Sequence, residues 1–373
     1  MRNNLKKPGL WIVKVGSAIL TNNGKGLTHS LINSWAKQIS DLEQQGYDFV
    51  IVSSGSIAEG VSRLNWQEKP HEIYKQQAAA AVGQMGLVQA YESAFSKYNL
   101  HTAQILLTHD DVANRKRYLN ARSTISELIK LGVIPIVNEN DTVAIDEIRF
   151  GDNDSLGSLV ANLLEADTLV ILTDQDGMYD KDPRVHNDAK LLTEVVPDDK
   201  TLDTAAGKSG GSLGRGGMFT KLQAARTAAK SGATTIIAPG TRKNVLLDIA
   251  RGHEIGTLFL AEARSMTARS RWLAGQMQAK GKLVLDDGAV EFITRQGKSL
   301  LPVGVREIIG DYSRGDLVKC VNSAGMEVAR GLSNYNSYES RKIIGKSSSA
   351  IGSILGYIDE PELIHRDNMV INN

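Results

Sequence analysis

The chain of 373 residues has very little cysteine: Cys320 is the single one, so no disulfide can form within the chain. This scarcity is typical of a protein in a reducing compartment, and we expect Cys320 to be an unreactive residue of a buried strand. Long apolar runs are also missing, since none approaches the roughly 18 residues that a membrane-spanning helix needs. The segment before Trp11 is too short and too polar for a secretory signal peptide. These absences predict a cytoplasmic protein.

An excess of charge of either sign is missing as well. Lys and Arg number 43 and Asp and Glu 42, which gives a formal net charge of +1. Such a balance does not favour nucleic acid, an anionic membrane or an acidic partner. The seven histidines are scattered without the spacing of metal ligands, so no zinc site is predicted.

The common nucleotide-binding motifs are absent too. Three Gly-Lys-Ser triplets begin at Gly207, Gly297 and Gly345, but a Walker A loop needs another glycine five residues earlier. Those earlier positions hold Leu202, Phe292 and Ser340. A G-x-G-x-x-G fingerprint and the protein-kinase motifs are likewise missing. Any phosphate site must therefore be built in another way.

What is present is an alternation of apolar strands and amphipathic helices over the first 260 residues. Strands that are apolar throughout are buried on both faces, so the pattern predicts an α/β fold: a three-layer αβα sandwich with a mainly parallel central sheet. The predicted strands are Leu10–Val15, Phe49–Val52, Thr102–Leu107, Gly132–Val137, Thr168–Leu172 and Thr234–Ala238. The predicted helices are Leu31–Gln45, Gln76–Lys97, Leu119–Leu131, Ser155–Glu165 and Lys221–Ser231.

The composition changes near Ala261, where a basic segment begins. We expect a first domain over residues 1–262, a linker over 263–279 and a small β-rich domain over 280–373. The predicted strands of the second domain are Lys282–Leu285, Val290–Thr294, Leu317–Val321 and Glu327–Gly331.

Two clusters of Asn and Asp flank one strand-to-helix connection. Asn138 to Asp141 follow the strand that begins at Gly132, and Asn153 with Asp154 precedes the next helix, which one of the two is expected to cap. A single cluster would be explained by a polar loop and a helix cap. Two clusters at the carboxyl end of a buried strand predict a ligand site, because open α/β sheets bind ligands at that edge.

Lysines and small residues occupy similar junctions elsewhere. Lys14 lies within an apolar strand, where it is costly unless an anion pairs with it; the alternative is an edge-strand lysine that reaches water. The turn Ser53–Ser56 follows another strand, and Thr173-Asp174 a third. A glycine-rich loop over 214–221 ends in Lys221 and is either a phosphate cradle or a flexible surface loop. Two lysines and Mg²⁺, positioned by an aspartate, would supply the positive charge that phosphoryl transfer needs.

Several segments together resemble the amino acid kinase family, and most closely its glutamate-phosphorylating members. They cover essentially all of the first 260 residues in the order of the family, and Leu300–Val305 with Gly315–Val318 resembles the PUA domain that follows in many such members. The segments of the first domain are Val13–Ser17, Ser53–Gly60, Val137–Asp141, Gly151–Asp154, Leu172–Tyr179, Asp182–Arg184, Gly216–Lys221 and Gly256–Phe259.

The resemblance implies ATP-dependent phosphorylation of the γ-carboxylate of L-glutamate, the first step toward proline. It implies that glutamate is bound by Ser54, Gly55, Asp141 and Asn153. Asp141 suits the ammonium group of the substrate by its charge, while Ser54 and Asn153 can hydrogen-bond a carboxylate.

For the transfer itself, the resemblance implies that Lys14 and Lys221 stabilise the phosphoryl group and that Asp154 holds both lysines. Mg²⁺ is expected to bridge the ATP phosphates without a direct protein ligand. The loop departs from the family pattern at Arg215 and Phe219, where threonine and serine are usual. The residues implied in ATP binding are Lys14, Thr173, Asp174, Arg215, Gly216, Gly217, Met218, Phe219, Thr220 and Lys221.

The resemblance also implies feedback inhibition by proline, a homo-oligomer (a dimer or a tetramer) and functional coupling to glutamyl phosphate reductase. Three alternatives stay open. One is a sister kinase that acts on aspartate or N-acetylglutamate, and another is a catalytically inactive sensor of the same fold. The third is an RNA-binding protein, since PUA folds often serve RNA-modifying enzymes. Residues 281–373 hold 11 Lys and Arg against 12 Asp and Glu, so RNA binding is not expected to be central.

Overall fold

A computed structural model describes residues 2–22, 24, 26–144, 153–207, 217–261 and 279–372. The described residues fall into two compact units, one made of 2–112 with 121–261 and the other of 113–120 with 279–372. The expected linker lies outside the described residues except for Ala279, so its bounds stay a prediction. Within the described part of the chain, no helix has both the length and the apolar character that crossing a membrane requires.

Eight strands belong to the first unit. The strands are β1 (Leu10–Val15), β2 (Asp48–Val52), β3 (His101–Leu107), β4 (Val133–Glu139), β5 (Thr168–Thr173), β6 (Glu194–Val195), β7 (Thr234–Pro239) and β8 (Thr257–Phe259). The helices before residue 262 are α1 (Ser17–Leu20), α2 (His29–Glu43), α3 (Ser56–Arg63), α4 (Ile73–Phe95), α5 (His109–Ala113), α6 (Arg115–Lys130), α7 (Asp154–Leu164), α8 (Thr201–Ala205), α9 (Met218–Lys230) and α10 (Val245–Ala250). Short 3₁₀ helices cover Arg2–Lys6 and Ser96–Tyr98.

The strands form one sheet in the order β3-β4-β2-β1-β5-β7-β8-β6. All neighbours from β3 to β7 pair in parallel, whereas β7 and β8 are antiparallel. Helices α2 and α4 pack on one face through a shared apolar core, and α7 and α9 pack on β1, β5 and β7. The predicted three-layer sandwich with a mainly parallel sheet is therefore confirmed, and all six predicted strands of this unit are present within two residues of their expected bounds.

Helices α3 and α4 approach each other so closely that their backbones touch. A Cβ atom added at Gly60 would lie 1.7 Å from the carbonyl oxygen of Ala79, and one added at Gly83 would lie 1.9 Å from that of Ser56. Only glycine fits at both positions, because any side chain would push the helices apart. This contact fixes the start of α3 against the middle of α4.

The second unit is built on a separate five-stranded sheet in the order β10-β9-β11-β12-β13. Its buried core includes Cys320, as predicted, and burial raises the pKa of that thiol to about 12. The strands are β9 (Gly281–Leu285), β10 (Val305–Gly310), β11 (Leu317–Val321), β12 (Glu327–Leu332) and β13 (Met369–Ile371). The helices are α11 (Asp287–Gln296), α12 (Ser337–Ile343) and α13 (Ile351–Leu355), with 3₁₀ turns at Pro302–Gly304, Ser348–Ala350 and Arg366–Asn368.

The predicted strand Val290–Thr294 is wrong, because these residues lie inside α11. The side chain of Asp286 accepts a hydrogen bond from the backbone N–H of Ala289 (2.8 Å) and so caps the helix. Gly297, with a φ of +60°, ends it in the left-handed conformation. These two caps outweigh the weak strand preference of the β-branched residues between them.

Candidate active site

Lys14 lies near the end of β1 in the middle of the sheet. Because β1 pairs with β2 on one side and β5 on the other, the edge-strand alternative for Lys14 is wrong. The strand pleat sends Val13 and Val15 into the core beneath α2 and α4, so Lys14 points to the opposite face, toward α7. A Cβ atom added at Gly157, a residue of α7, would lie 3.3 Å from the Cβ atom of Lys14. The helix α7 therefore packs directly against the aliphatic part of the Lys14 side chain.

Asp154 is the anion that pairs with this buried lysine. The Nζ atom of Lys14 lies 2.5 Å from Oδ1 of Asp154, and the Nζ atom of Lys221 lies 3.2 Å from Oδ2. The hydroxyl of Thr220 donates to the same Oδ2 atom at 2.8 Å. Lys14, Lys221 and Asp154 are 2%, 4% and 0% exposed, so the structure brings two distant lysines together on one buried carboxylate.

The charge state of Asp154 follows from its partners. Burial alone would raise the pKa of this carboxyl group, but the ammonium groups of Lys14 and Lys221, helped by hydrogen bonds from Lys14 and Thr220, lower it to about 2. Asp154 is therefore ionised at neutral pH.

The start of α9 delivers Thr220 and Lys221. Gly217 is the N-cap residue of the helix, and Met218 is its first residue. The segment expected to contact ATP therefore meets the site at a helix N-terminus, where backbone N–H groups favour an anion. Gly217 to Lys221 are described, whereas Arg215 and Gly216 lie outside the described residues.

The other two residues predicted to bind ATP lie at the end of β5, the neighbour of β1: Thr173 is its last residue, and Asp174 follows it. Thr173 is buried and its hydroxyl donates to the exposed Asp174 at 3.0 Å. The backbone N–H of Gly16 donates to the carbonyl of Leu172 at 2.9 Å, which joins the turn after β1 to the end of β5. Thr173 and Lys14 thus come from neighbouring strands at the same end of the sheet.

The residues predicted to bind the amino diacid gather at the ends of β1, β2 and β4. The hydroxyl of Ser54 donates to the carbonyl of Val15, and that of Ser56 donates to Oδ2 of Asp141, both at 2.8 Å. Gly55 adopts a φ of +86°, and a Cβ atom there would lie 2.6 Å from Thr21 Cγ2. Glycine is therefore required at Gly55 both for its conformation and for space.

The amide of Asn153 connects this group to the lysine cluster. Its Nδ2 atom donates to the carbonyl of Ser53 at 2.6 Å and to Oδ1 of Asn138 at 2.8 Å, so both N–H groups are used. Since the Ser54 hydroxyl is also used as a donor, Ser54 and Asn153 offer oxygen acceptors to a ligand. Acceptors suit an ammonium group better than the carboxylate expected from the sequence.

Three polar residues of this region are not among the site residues predicted from the sequence. Ser56 holds Asp141, Asn138 holds Asn153, and Gln84 of α4 holds Asn138. Ser56 and Asn138 belong to the polar runs after strands, a signal that could have pointed to them. Gln84 lies in an alanine-rich helix, and the sequence has no signal that singles it out.

Comparison with known proteins shows which families and relatives the chain resembles. The chain matches the model of the amino acid kinase family over residues 9–239 and that of the PUA domain over residues 281–355. Glutamate 5-kinase from Pseudomonas fluorescens (strain Pf0-1) is 56% identical over 371 residues, which are 100% of both chains. The proteins of the same name from Thioalkalivibrio sulfidiphilus and Saccharophagus degradans are 57% and 58% identical over 370 residues, 99% of each chain.

Among solved structures, UMP kinase from Ureaplasma parvum matches 68% of this chain and 99% of its own, with a TM-score of 0.47 and 16% identity.

Proposed function

The chain belongs to the amino acid kinase family, as a glutamate 5-kinase, and we propose that Lys14, Lys221 and Asp154 form its phosphoryl-transfer centre. The enzyme transfers the γ-phosphoryl group of ATP to the γ-carboxylate of L-glutamate, the first step of proline biosynthesis. The observation that supports the proposed centre is the convergence of two buried ammonium groups on one buried carboxylate.

The chemistry needs charge stabilisation rather than proton transfer. A γ-carboxylate oxygen of glutamate bonds to the γ-phosphorus of ATP, the bond from that phosphorus to the bridging oxygen breaks, and ADP leaves with the electron pair. Negative charge is spread over the oxygens of the transferring group, where the buried Lys14 and Lys221 would stabilise it. Asp154 acts through both lysines by fixing their ammonium groups.

We place glutamate at Ser54, Gly55, Asp141 and Asn153. The carboxylate of Asp141 and the acceptor oxygens of Ser54 and Asn153 suit the ammonium group. Gly55 is the N-cap residue of α3, and the backbone N–H groups of that first turn favour a carboxylate. Because Asn153 and Asp154 are consecutive, the substrate pocket and the transfer centre share one helix start.

We place the nucleotide along Thr173, Asp174 and the segment from Arg215 to Lys221. Mg²⁺ would enter with the ATP phosphates and neutralise part of their charge. Among the described residues, no group of three or more His, Cys, Asp and Glu side chains could hold a metal ion. Asp154 already accepts from two ammonium groups, so it is not expected to bind the metal directly.

The test is a hydroxamate assay with ATP, Mg²⁺ and each of glutamate, aspartate and N-acetylglutamate. We expect ADP release and trapping of the acyl phosphate by hydroxylamine with glutamate. Turnover of aspartate or N-acetylglutamate in its place would reassign the substrate within the family. Turnover of all three at equal rates would contradict a pocket that recognises the ammonium group and the chain length of glutamate.

The family likeness supports three further proposals. Proline would inhibit by competing with glutamate, which raises the apparent KM for glutamate and leaves kcat unchanged. The enzyme would be a cytoplasmic homo-oligomer, and light scattering of the full chain would give its mass. Its acyl phosphate product would pass to glutamyl phosphate reductase, and adding that enzyme together with a nicotinamide hydride donor should lower the hydroxamate yield.

A further inference from the structure

Four polar groups form a chain of buried hydrogen bonds behind the substrate pocket. The carbonyl of Ser53 accepts from Nδ2 of Asn153, Oδ1 of Asn138 accepts from the same Nδ2 atom, and Oε1 of Gln84 accepts from Nδ2 of Asn138 (2.8 Å). Asn138 and Asn153 are 0% exposed and Gln84 is 9% exposed. The chain connects the end of β2, the start of α7, β4 and the middle of α4.

The direction of this chain is set at its Ser53 end. A backbone carbonyl can only accept, so the amide of Asn153 must turn its NH₂ group toward Ser53. That same NH₂ group then requires an oxygen from Asn138, and the NH₂ group of Asn138 requires an oxygen from Gln84. Each amide therefore has one favourable orientation, since the reverse would place like atoms against each other.

The anchor itself is held firmly. The backbone N–H of Ser53 donates to the carbonyl of Val137 at 2.8 Å, and its hydroxyl lies 3.2 Å from the hydroxyl of the buried Tyr91. Tyr91, like Gln84, comes from α4, so one helix supports both ends of the chain. The Oδ1 atom of Asn153 makes no hydrogen bond within the described residues. It is thus the atom of Asn153 that remains for a ligand.

We propose that Gln84 and Asn138 are positioning residues that fix the amide of Asn153, so that its oxygen rather than its NH₂ group is available to the ammonium group of the amino diacid. The inference rests on the proposed role of Asn153 in substrate binding. Neither Gln84 nor Asn138 needs to touch the substrate, since both act through Asn153.

The main test uses two variants of the full-length enzyme. Gln84→Met has a similar length but no acceptor, so the amide of Asn138 is free to turn and Asn153 loses its fixed orientation. We expect the KM for glutamate to rise at least 10-fold, about 1.4 kcal/mol, with the KM for ATP within 2-fold of the original enzyme. Gln84→Glu keeps an oxygen acceptor for Asn138, so its KM for glutamate and its KM for ATP should both stay within 3-fold of the values of the original enzyme.

A glutamine on the surface of the same helix gives a matched control. Gln89 is exposed, and its Oε1 atom accepts a long hydrogen bond of 3.4 Å from the guanidinium of Arg63. Gln89→Met should therefore change neither KM. An unchanged glutamate KM in Gln84→Met would overturn the proposal. An equal rise of the glutamate KM in Gln84→Glu would also overturn the proposal, because it would assign the role to the Nε2 donor of Gln84. A parallel rise of the glutamate and ATP KM values in Gln84→Met would overturn it as well, because it would indicate general structural damage.

Should Gln84→Met not fold, the double variant Asn138→Asp/Gln84→Glu replaces it. In each single variant, one of the two side chains keeps an NH₂ group that can donate to the carboxyl group of the other. In the double variant, two carboxyl groups face each other and neither has an NH₂ group to donate. We expect its loss of glutamate affinity to exceed the product of the two single losses, and a purely multiplicative loss would overturn the proposal. Failure of the unmodified enzyme to turn over glutamate would instead contradict the proposed function, and it is measured before any variant.

Discussion

Replacing Asp154 with asparagine tests the shared carboxylate most directly. Asparagine keeps the shape of the side chain but removes the negative charge between the ammonium groups of Lys14 and Lys221. Breaking a buried ion pair by removing one partner costs about 3–5 kcal/mol, because the remaining charge stays buried without compensation. We expect Asp154→Asn to lower the free energy of unfolding by that amount at pH 7, measured by urea denaturation followed by circular dichroism.

The same variant should lose activity through the position of the lysines. One of the two oxygens becomes an NH₂ group that faces an ammonium group, so at least one lysine must move. We expect turnover to fall by about 100-fold or more, which corresponds to about 2.7 kcal/mol in the transition state. The hydroxamate assay at saturating ATP and glutamate measures this loss.

The stability difference should depend on pH in a defined direction. The pKa of Asp154 lies at about 2 in the folded protein, below its ordinary value of 3.8. A lowered pKa contributes stability that is fully present above the ordinary value and disappears as pH falls toward the folded value. The difference between the two proteins should therefore be constant from pH 7 to about 5 and shrink below about pH 4.

A matched control separates burial from charge. The Nζ atom of Lys130 lies 3.2 Å from Oε2 of Glu127, the same distance as between Lys221 and Asp154. The side chains of Lys130 and Glu127, however, are 72% and 60% exposed. Glu127→Gln should therefore change the free energy of unfolding by less than about 1 kcal/mol. Equal effects of Asp154→Asn and Glu127→Gln, or a difference for Asp154→Asn that does not vary with pH, would refute the reasoning.

Three other outcomes follow from the structure. In steady-state kinetics, Lys14→Ala and Lys221→Ala should each lower kcat by about 100-fold or more while raising either KM less than 10-fold, because the interactions of both lysines strengthen in the transition state. A raised KM with an unchanged kcat would show instead that the lysine only binds substrate. Gly83→Ala should destabilise the protein by about 3 kcal/mol, because its Cβ atom would meet the carbonyl of Ser56; an unchanged thermal midpoint would contradict that contact. Cys320 should resist a thiol reagent at pH 8 until denaturant is added, since burial raises its pKa to about 12; rapid labelling of the folded protein would contradict its burial.

Much of the fold could be predicted from the sequence because its strands are apolar throughout. Such runs have one stable environment, a sheet covered on both faces, and the bounds predicted for β1 are the observed ones. The predicted strand Val290–Thr294 is wrong because its β-branched residues alone favour a strand, whereas the caps at Asp286 and Gly297 favour a helix. The strand preference of single residues is small, so the hydrogen bonds at the two helix ends decide the structure of this segment.

The site could be predicted in part for a similar reason. A buried lysine requires an anion, so Lys14 indicated that a partner existed, but Asp154 lies 140 positions away and only the folded sheet brings it near. Gln84 could not be predicted, because nothing distinguishes a buried glutamine from an exposed one in an alanine-rich helix. The direction of the Asn153 amide depends on three other elements, and no local pattern encodes it.

The glycine contact between α3 and α4 limits how the enzyme can adapt to another substrate. No layer of side chains separates the two backbones, so the distance between α3 and α4 cannot be adjusted by substituting a smaller or a larger side chain. A pocket for a longer or bulkier acceptor must therefore be made by changing the polar residues at the strand ends.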